Sequence, residues 1–448
     1  MRNPNVLYIG TETGLFVSID KAKSWQRIKA NLPTVRIDEI TIHPRDNALI
    51  LATHGRALWI LDHLEPIQEY SAAEQAPGDA RLFSMTEPAM YRRPARDRNY
   101  EFWGDHTFFG ENPPQSAVIS WVNKKQVGEV RLKISDAAGR EVRELSGQTL
   151  ANRNKPGIQS ACWDLRVQPA PAPPNAGRGR GRGAAQESEA GGRAGGGQAG
   201  GQTGGEGGAA ATSNQVQSPF GAGCDVPSQT GGGGGFGGGQ TSGPWVLAGT
   251  YNVSLVIDGK PVDTKPLRVT DDPEVALTSA ERKRMFDMAA EMHELQKHVT
   301  EAAAAEQALT RQMTELADAI GKRSDIPGDV KTPFDALRKD LTALAPKFAT
   351  PQGRGGGGRG ADNPSVVVRI GQAKNGLMGG MPVTEQTTRA YTEAKSAAPK
   401  AIDDLNAIIG RASGVSTSLA RYDLTLTVPQ PVKNVDAATA PRRSSSQR

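Results

Sequence analysis

The sequence predicts a multidomain β plus α protein, and three patterns carry that reading. Short apolar strands repeat over the first seventy positions, longer alternating strands follow, and a heptad seam runs through the last third. The expected order is a partial β-propeller of two blades over 1–70, then an immunoglobulin- or fibronectin-like β-sandwich over 80–272. An α-helical bundle with a coiled-coil-type seam follows over 276–425, and then a disordered tail over 426–448. At 448 residues the chain exceeds one ordinary domain.

The first strands are read at Val6 to Gly10, Gly14 to Ser18 and Trp25 to Ile28. The pattern restarts at Ile37 to Ile42, Ala48 to Thr53 and Ala57 to Asp62, with a fourth strand expected from Ile67 to Tyr70. Matching Val6 to Thr11 with Leu49 to Thr53 gives a period of roughly 40 residues, the length of a four-stranded blade. Two blades cannot close a ring. The expectation is therefore that missing N-terminal propeller blades, in the same protein or another chain, cover an apolar face and an open strand edge.

In the middle, Ala117 to Val122 and Val130 to Ile134 alternate apolar and polar residues. Glu141 to Leu145, Ala161 to Arg166, Gly249 to Ile257 and Thr264 to Val269 continue the strands, about seven in all, as a sandwich requires. Cys162 and Trp163 point to opposite faces, and Asp164 with Arg166 reads as a structural ion pair. Between Gln168 and Gly243 the composition collapses to Gly, Ala, Pro, Gln and Arg, which predicts a long disordered loop. Its Gly-Arg repeats resemble RNA-binding tracts. Their arginines are offset by Glu187, Glu189, Glu206 and Asp225, and stacking rings are few, so no nucleic-acid partner is expected.

Thr278-Ser279-Ala280-Glu281 has capping-box spacing and opens a helix of roughly 60 Å. Met285, Met288, Met292, Leu295, Val299, Ala302, Leu309, Met313, Leu316 and Ile320 form its seam, broken by Glu306. A second helix is expected to start at Pro333. A Gly/Arg loop at 350–365 separates it from a third helix beginning at Thr384 and kinked at Pro399. His293 and His298 lie five apart, off a common face, and read as solvated rather than as metal ligands. Self-packing into an antiparallel bundle is expected, with intermolecular coiled-coil pairing as the alternative.

The net charge of +5 is concentrated in two flexible stretches. Arg354 and Arg359 lie in one; Lys433, Arg442, Arg443 and Arg448 lie in the other, so no folded basic face is expected. Two cysteines, Cys162 and Cys224, allow one disulfide and exclude a closed Cys-rich zinc site. Met1-Arg2-Asn3-Pro4 opens no signal peptide, and no apolar run is long enough to span a bilayer. No cofactor is called for.

Ser18-Ile19-Asp20-Lys21-Ala22-Lys23-Ser24-Trp25 resembles the Asp-box, or BNR repeat. The resemblance implies a structural role for Ser18, Asp20, Ser24 and Trp25: side-chain oxygens close a hairpin turn, and the indole is buried between blades. Ala22 stands where the family carries glycine. Ala52-Thr53-His54-Gly55-Arg56-Ala57-Leu58-Trp59-Ile60-Leu61-Asp62 resembles the closing blade of bacterial sortilin-like proteins, often labelled BNR-repeat glycosyl hydrolases. Asn112-Pro113-Pro114 and Trp163-Asp164-Leu165-Arg166 extend that resemblance.

The resemblance implies the non-catalytic scaffold or binding end of an exported, extracellular or periplasmic propeller protein with a polypeptide or glycan ligand. His54, Arg56 and Asp62 are the candidate binding residues, set against the plainer reading of a hairpin turn with a rim ion pair. No catalytic residue is assigned, because no acid pair, Ser-His-Asp set or phosphate-binding loop stands at useful spacing. The alternative is a glycoside hydrolase or other hydrolase whose active site lies in the missing blades.

Overall fold

The computed structural model describes residues 3–29, 31–90, 116–171, 242–349, 365–380 and 382–434, with two short strands at 215–216 and 226–227. Strands and helices form three large apolar cores in chain order, with two small clusters beside the second.

Strands β1 (Leu7–Thr11), β2 (Gly14–Ser18) and β3 (Gln26–Ile28) form one antiparallel sheet. Strands β4 (Ile37–Ile42), β5 (Leu49–Thr53) and β6 (Leu58–Leu61) form a second. Leu15, Val35, Ile37, Leu49, Leu51 and Leu64 make one core between them. The sheets meet where β1 passes β4: a Cβ on Gly10 would lie 2.8 Å from Ile37 Cβ, so glycine permits the approach.

The β2–β3 turn is held by side chains. Ser18 Oγ donates to Asp20 (2.8 Å) and accepts the Ala22 N–H (2.8 Å); Asp20 accepts the Ser24 N–H (2.9 Å) and hydroxyl (2.6 Å). These bonds hold the Asp20 carboxyl down at about 2. Ala22 takes φ +68°, the left-handed region that disfavours a side chain. Trp25 departs from expectation: it is 40% exposed, because β3 is an outer strand whose far side no described segment covers.

The expected fourth strand is instead helix α1 (Glu65–Gln75). Pro66 suits a first helical turn, and the Glu, Gln and Ala residues that follow are helix formers. Asn47 and Gln68 exchange two buried side-chain hydrogen bonds of 3.0 Å, locking α1 to the second sheet. Its later residues Tyr70 and Ala73 pack with Phe83 and Val122 in a small separate cluster on the outer side of the next core.

That core lies between two sheets. One is ordered β11 (Glu141–Leu145), β10 (Val130–Ser135), β15 (Gly249–Ile257), β16 (Lys260–Asp271) and β8 (Ala89–Met90); the other is β12 (Gly157–Trp163), β9 (Ala117–Asn123) and β7 (Ala80–Leu82). Trp121, Trp163, Leu132, Ile134, Val253 and Leu255 fill the space, with Trp163 edge-on to Tyr251 at 5.3 Å. Strand β9 is buried on both faces, because α1 covers the side away from the core. Cys162 points away from Trp163 and is disulfide-bonded; Cys224 lies outside the described residues. Asp258 and Gly259, both with positive φ, make the β15–β16 hairpin turn. Short strands β13 (Gln215–Val216) and β14 (Val226–Pro227) pair with each other. The expected disordered loop is instead ordered at its two ends, 168–171 and 242–243, where Gln168 N–H donates to the Val142 carbonyl; apart from β13 and β14, the rest of it lies outside the described residues, as does 350–364.

Helix α2 (Ser279–Gly321) opens with the expected capping box and runs 43 residues, about 64 Å. Helix α3 (Gly328–Leu344) begins a turn and a half before Pro333, whose missing N–H forfeits one internal bond. Helix α4 (Val366–Leu377) was not foreseen; Ser365 caps it. Helix α5 (Glu385–Ala420) runs uninterrupted through Pro399. The four share one apolar core within the described chain. Glu306 is buried within it, accepting the Thr310 hydroxyl at 2.7 Å, and burial raises its pKa.

The tail also differs from expectation. Residues 424–434 are ordered, with Leu426 and Val432 buried against the helices. After Asp423 at φ +59° the chain reverses and runs back along α5. Alternating burial from Leu424 to Val428 is a strand pattern that a disordered-tail reading overlooks. Residues 435–448 lie outside the described set.

Ala22→Gly is expected to stabilise the protein by about 1 kcal/mol, since glycine tolerates the left-handed turn. Chemical denaturation of the two forms checks this; equal or lower stability of the variant would show that Ala22 is unstrained.

Candidate functional site

Two polar clusters stand out, one exposed and one buried. The exposed cluster assembles where the two N-terminal sheets meet. Arg36, just before β4, donates through Nε to Asp38 at 2.6 Å and reaches Glu12 of the β1–β2 turn at 4.0 Å. His54, in the β5–β6 loop, places Nδ1 3.1 Å from Arg36 and 3.3 Å from Asp38. Hydrogen bonding and charge from Arg36 lower the Asp38 pKa, and Asp38 in turn raises that of Arg36.

The three candidate binding residues do not converge. His54 joins Arg36 and Asp38, and Arg56 is exposed nearby in the same loop. Asp62 follows the far end of β6, about 13 Å of strand away. Burial raises its pKa, and its charged neighbours are His63 and Asp46. The sequence missed Arg36 and Asp38 because the antiparallel register of β4 on β5, which pairs Ile37 with Thr53, is what brings them to His54.

The buried cluster forms where the long insert leaves and rejoins the two-sheet body. Val167 donates to the Pro244 carbonyl at 3.0 Å, Val246 to the Leu165 carbonyl at 2.9 Å, and Arg166 bridges antiparallel to Trp245. A Cβ on Gly243 would sit 2.3 Å from the Val167 carbonyl oxygen, so only glycine fits there. The Arg166 guanidinium lies 4.0 Å above the Trp245 ring and donates to the Gly243 carbonyl. This revises the Asp164–Arg166 expectation. The Asp164 carboxylate accepts the Arg166 N–H and lies 4.0 Å from Arg143, because Leu165 at φ +56° turns the chain out of the strand.

Helices close over this seam. His293 is 2% exposed, not solvated, and its Nε2 donates to the Gln168 carbonyl at 2.8 Å. His298 is half-buried. Lys374 is wholly buried; its ammonium donates to the Ser242 carbonyl at 2.8 Å and to Gln296 Oε1. Burial, then the charge of Arg166, pulls Lys374 down to about 7. Burial pulls His293 down to about 4, and the charge of Lys374 adds to that.

A signal for this cluster existed. Besides the heptad seam, α2 buries a second stripe of Ala289, His293, Gln296, Thr300 and Ala303. Lys374 lies on the apolar stripe of α4 with Val367, Ile370 and Leu377.

A near-neutral buried amine is chemically competent for proton transfer. Two shallow surface hollows lie elsewhere: one against Val383 to Thr392, another against α3 at Asp335 to Ala343. Neither reaches Lys374. Because α2 and α4 side chains bond the Gln168 and Ser242 carbonyls, the buried cluster is read as a joint, and the exposed one is taken as the candidate site. Among the described residues no three His, Cys, Asp or Glu side chains gather as metal ligands would, and no helix is long and apolar enough to cross a membrane. No protein-family model, curated protein or solved structure matches this chain.

The buried joint predicts a pH profile of stability. As pH falls from about 6.5 to about 4, the unfolded chain protonates at His293 before the native one does, and stability drops. As pH falls from about 10.5 to about 7, Lys374 acts in the same direction. Thermal unfolding from pH 4 to pH 10 is expected to lose the acid slope in His293→Gln and the alkaline slope in Lys374→Met. Unchanged slopes would contradict these assignments.

Proposed function

We infer that this chain is the scaffold or binding end of an exported propeller protein, with a polypeptide or glycan ligand. The observation that carries the reading is the exposed apolar surface on both N-terminal sheets. Leu58 and Ile60 alternate along β6 and are 69% and 61% exposed; Ile9 and Trp25 of the first sheet are 46% and 40% exposed. Blades of a propeller pack face to face, so sheets exposing such residues suit coverage by further blades. The paired sheets over 1–70, an immunoglobulin-like body over 80–272 and the helices over 276–425 are read as its successive modules.

The Cys162 disulfide supports export, because such bonds persist in oxidising compartments. With the apolar faces assigned to blade packing, ligand contact falls to the Arg36–Asp38–His54 cluster and the adjacent Arg56. Its paired charges suit a polar main chain or a hydroxylated ligand.

Sedimentation and ligand arrays test the two parts separately. The chain alone is expected to self-associate, and Leu58→Thr with Ile60→Thr to reduce that without loss of circular dichroism. A monomeric parent that binds no apolar dye would count against the blade reading. On peptide and glycan arrays, His54→Ala with Arg56→Ala is expected to reduce capture by about tenfold, or about 1.4 kcal/mol. Unchanged capture at unchanged stability would remove the cluster from the site.

A further inference from the structure

The segment after α5 is held by an arrangement suited to a ligand. Gln312 of α2 donates through Nε2 to the Thr427 carbonyl (3.0 Å) and accepts the Thr427 N–H through Oε1 (2.8 Å). Asn406 of α5 does the same with Val432, both bonds being 2.9 Å. Each side-chain amide thus stands in for one residue of a neighbouring β-strand. The Ser416 hydroxyl adds a 2.7 Å bond to the Leu426 carbonyl, and Asn434 donates to the Pro399 carbonyl and to Asp403.

The spans agree. Nine extended residues from 426 to 434 advance about 26 Å, and helix residues 416 back to 399 cover about 26 Å. Apolar side chains at 424, 426, 428 and 432 face the helices, while Thr425, Thr427, Gln430 and Lys433 face solvent. Pro429 and Pro431 keep the segment extended without N–H groups that would need partners.

These contacts read the main chain and the apolar spacing of the segment; its outward side chains contribute little. We propose that the α2–α5 groove is a binding site for an extended, alternately apolar, proline-containing polypeptide, and that residues 424–434 are its exchangeable built-in occupant. The turn at Asp423 is the hinge. Between it and Asn434, the segment is tied to the groove by hydrogen bonds of Gln312, Asn406, Ser416 and Asn434 itself. A foreign peptide must compete with the tethered one, which lowers its apparent affinity. This site is independent of the exposed cluster on the N-terminal sheets.

The test uses the full chain and a fluorescent peptide of residues 424–434. Leu426→Asp with Val432→Asp expels the tethered segment without touching the groove. That variant is expected to bind the peptide at least about tenfold more tightly than the parent. Adding Asn406→Ala should return binding to the parent level. A peptide with isoleucine for both leucines and serine for both threonines should still bind. In the parent, hydrogen exchange at the Thr427 and Val432 amides is expected to precede opening of α2 and α5.

Absence of peptide binding to the expelled variant would overturn the proposal. So would strap amides that exchange only on global unfolding, which would make the segment a fixed part of the core. Loss of helical circular dichroism in the variant would overturn it too, since an exchangeable occupant is not required for folding.

Discussion

The antiparallel pairing of residues 165–167 with 244–246 is the constraint on which the middle and end of the molecule depend. The intervening segment leaves the two-sheet body and rejoins it at one point, so its length does not open the core around Trp121 and Trp163. The same pairing sets the Gln168 and Ser242 carbonyls side by side at the edge of that body. Those two carbonyls are what His293 and Lys374 reach. A chain feature that resembles a linker is thus the foundation of a joint between sheet and helix.

The joint is unusual in its charge. Arg166, His293 and Lys374 come together and donate to carbonyl and amide oxygens, with Met378 Sδ a further acceptor for Arg166. Burial favours the neutral forms of His293 and Lys374, which explains how such groups are tolerated. A second tie lies at the start of α2, where Arg282 donates to the Val275 carbonyl at 2.8 Å and lies 3.4 Å from Asp271 of β16. At the other end of the body, the Asn47–Gln68 amide pair anchors α1 and connects the first core to the second. Directional bonds between buried polar groups make these connections specific in geometry, with His293 Nδ1 and Asp271 Oδ1 buried without a hydrogen-bond partner.

Local signals in the sequence were sufficient wherever one pattern decided the outcome. The Thr278–Glu281 capping box, the six short N-terminal strands and the Asp20-centred turn all follow from neighbouring residues. The beta plus alpha class follows from the same patterns. Where two patterns competed, the reading failed. Ile67 and Tyr70 suggest a strand by composition, yet Pro66 and the surrounding Ala, Gln and Glu favour a helix. The β-branched run of Val366 to Val368 hid α4, whose stability comes from burial on three sides and not from propensity.

Long-range effects were not readable at all. Nothing adjacent to His293 announces that the Gln168 carbonyl, 125 residues earlier, will accept its hydrogen bond. Nor does the region around His54 announce Arg36 and Asp38. Of the candidate residues, His54 and Arg56 share a loop that the sequence delimits, whereas the distance of Asp62 from them depends on the length and direction of β6.

If the joint at the base of the insert couples the sheet body to the helices, the two must unfold together. All six tryptophans precede α2, so their fluorescence reports on the sheets while ellipticity at 222 nm reports mainly on the helices. Urea titration followed by both probes is expected to give coincident transitions at neutral pH. Two separated midpoints would show that sheets and helices are independent units, and that the buried contacts of His293 and Lys374 do not join them.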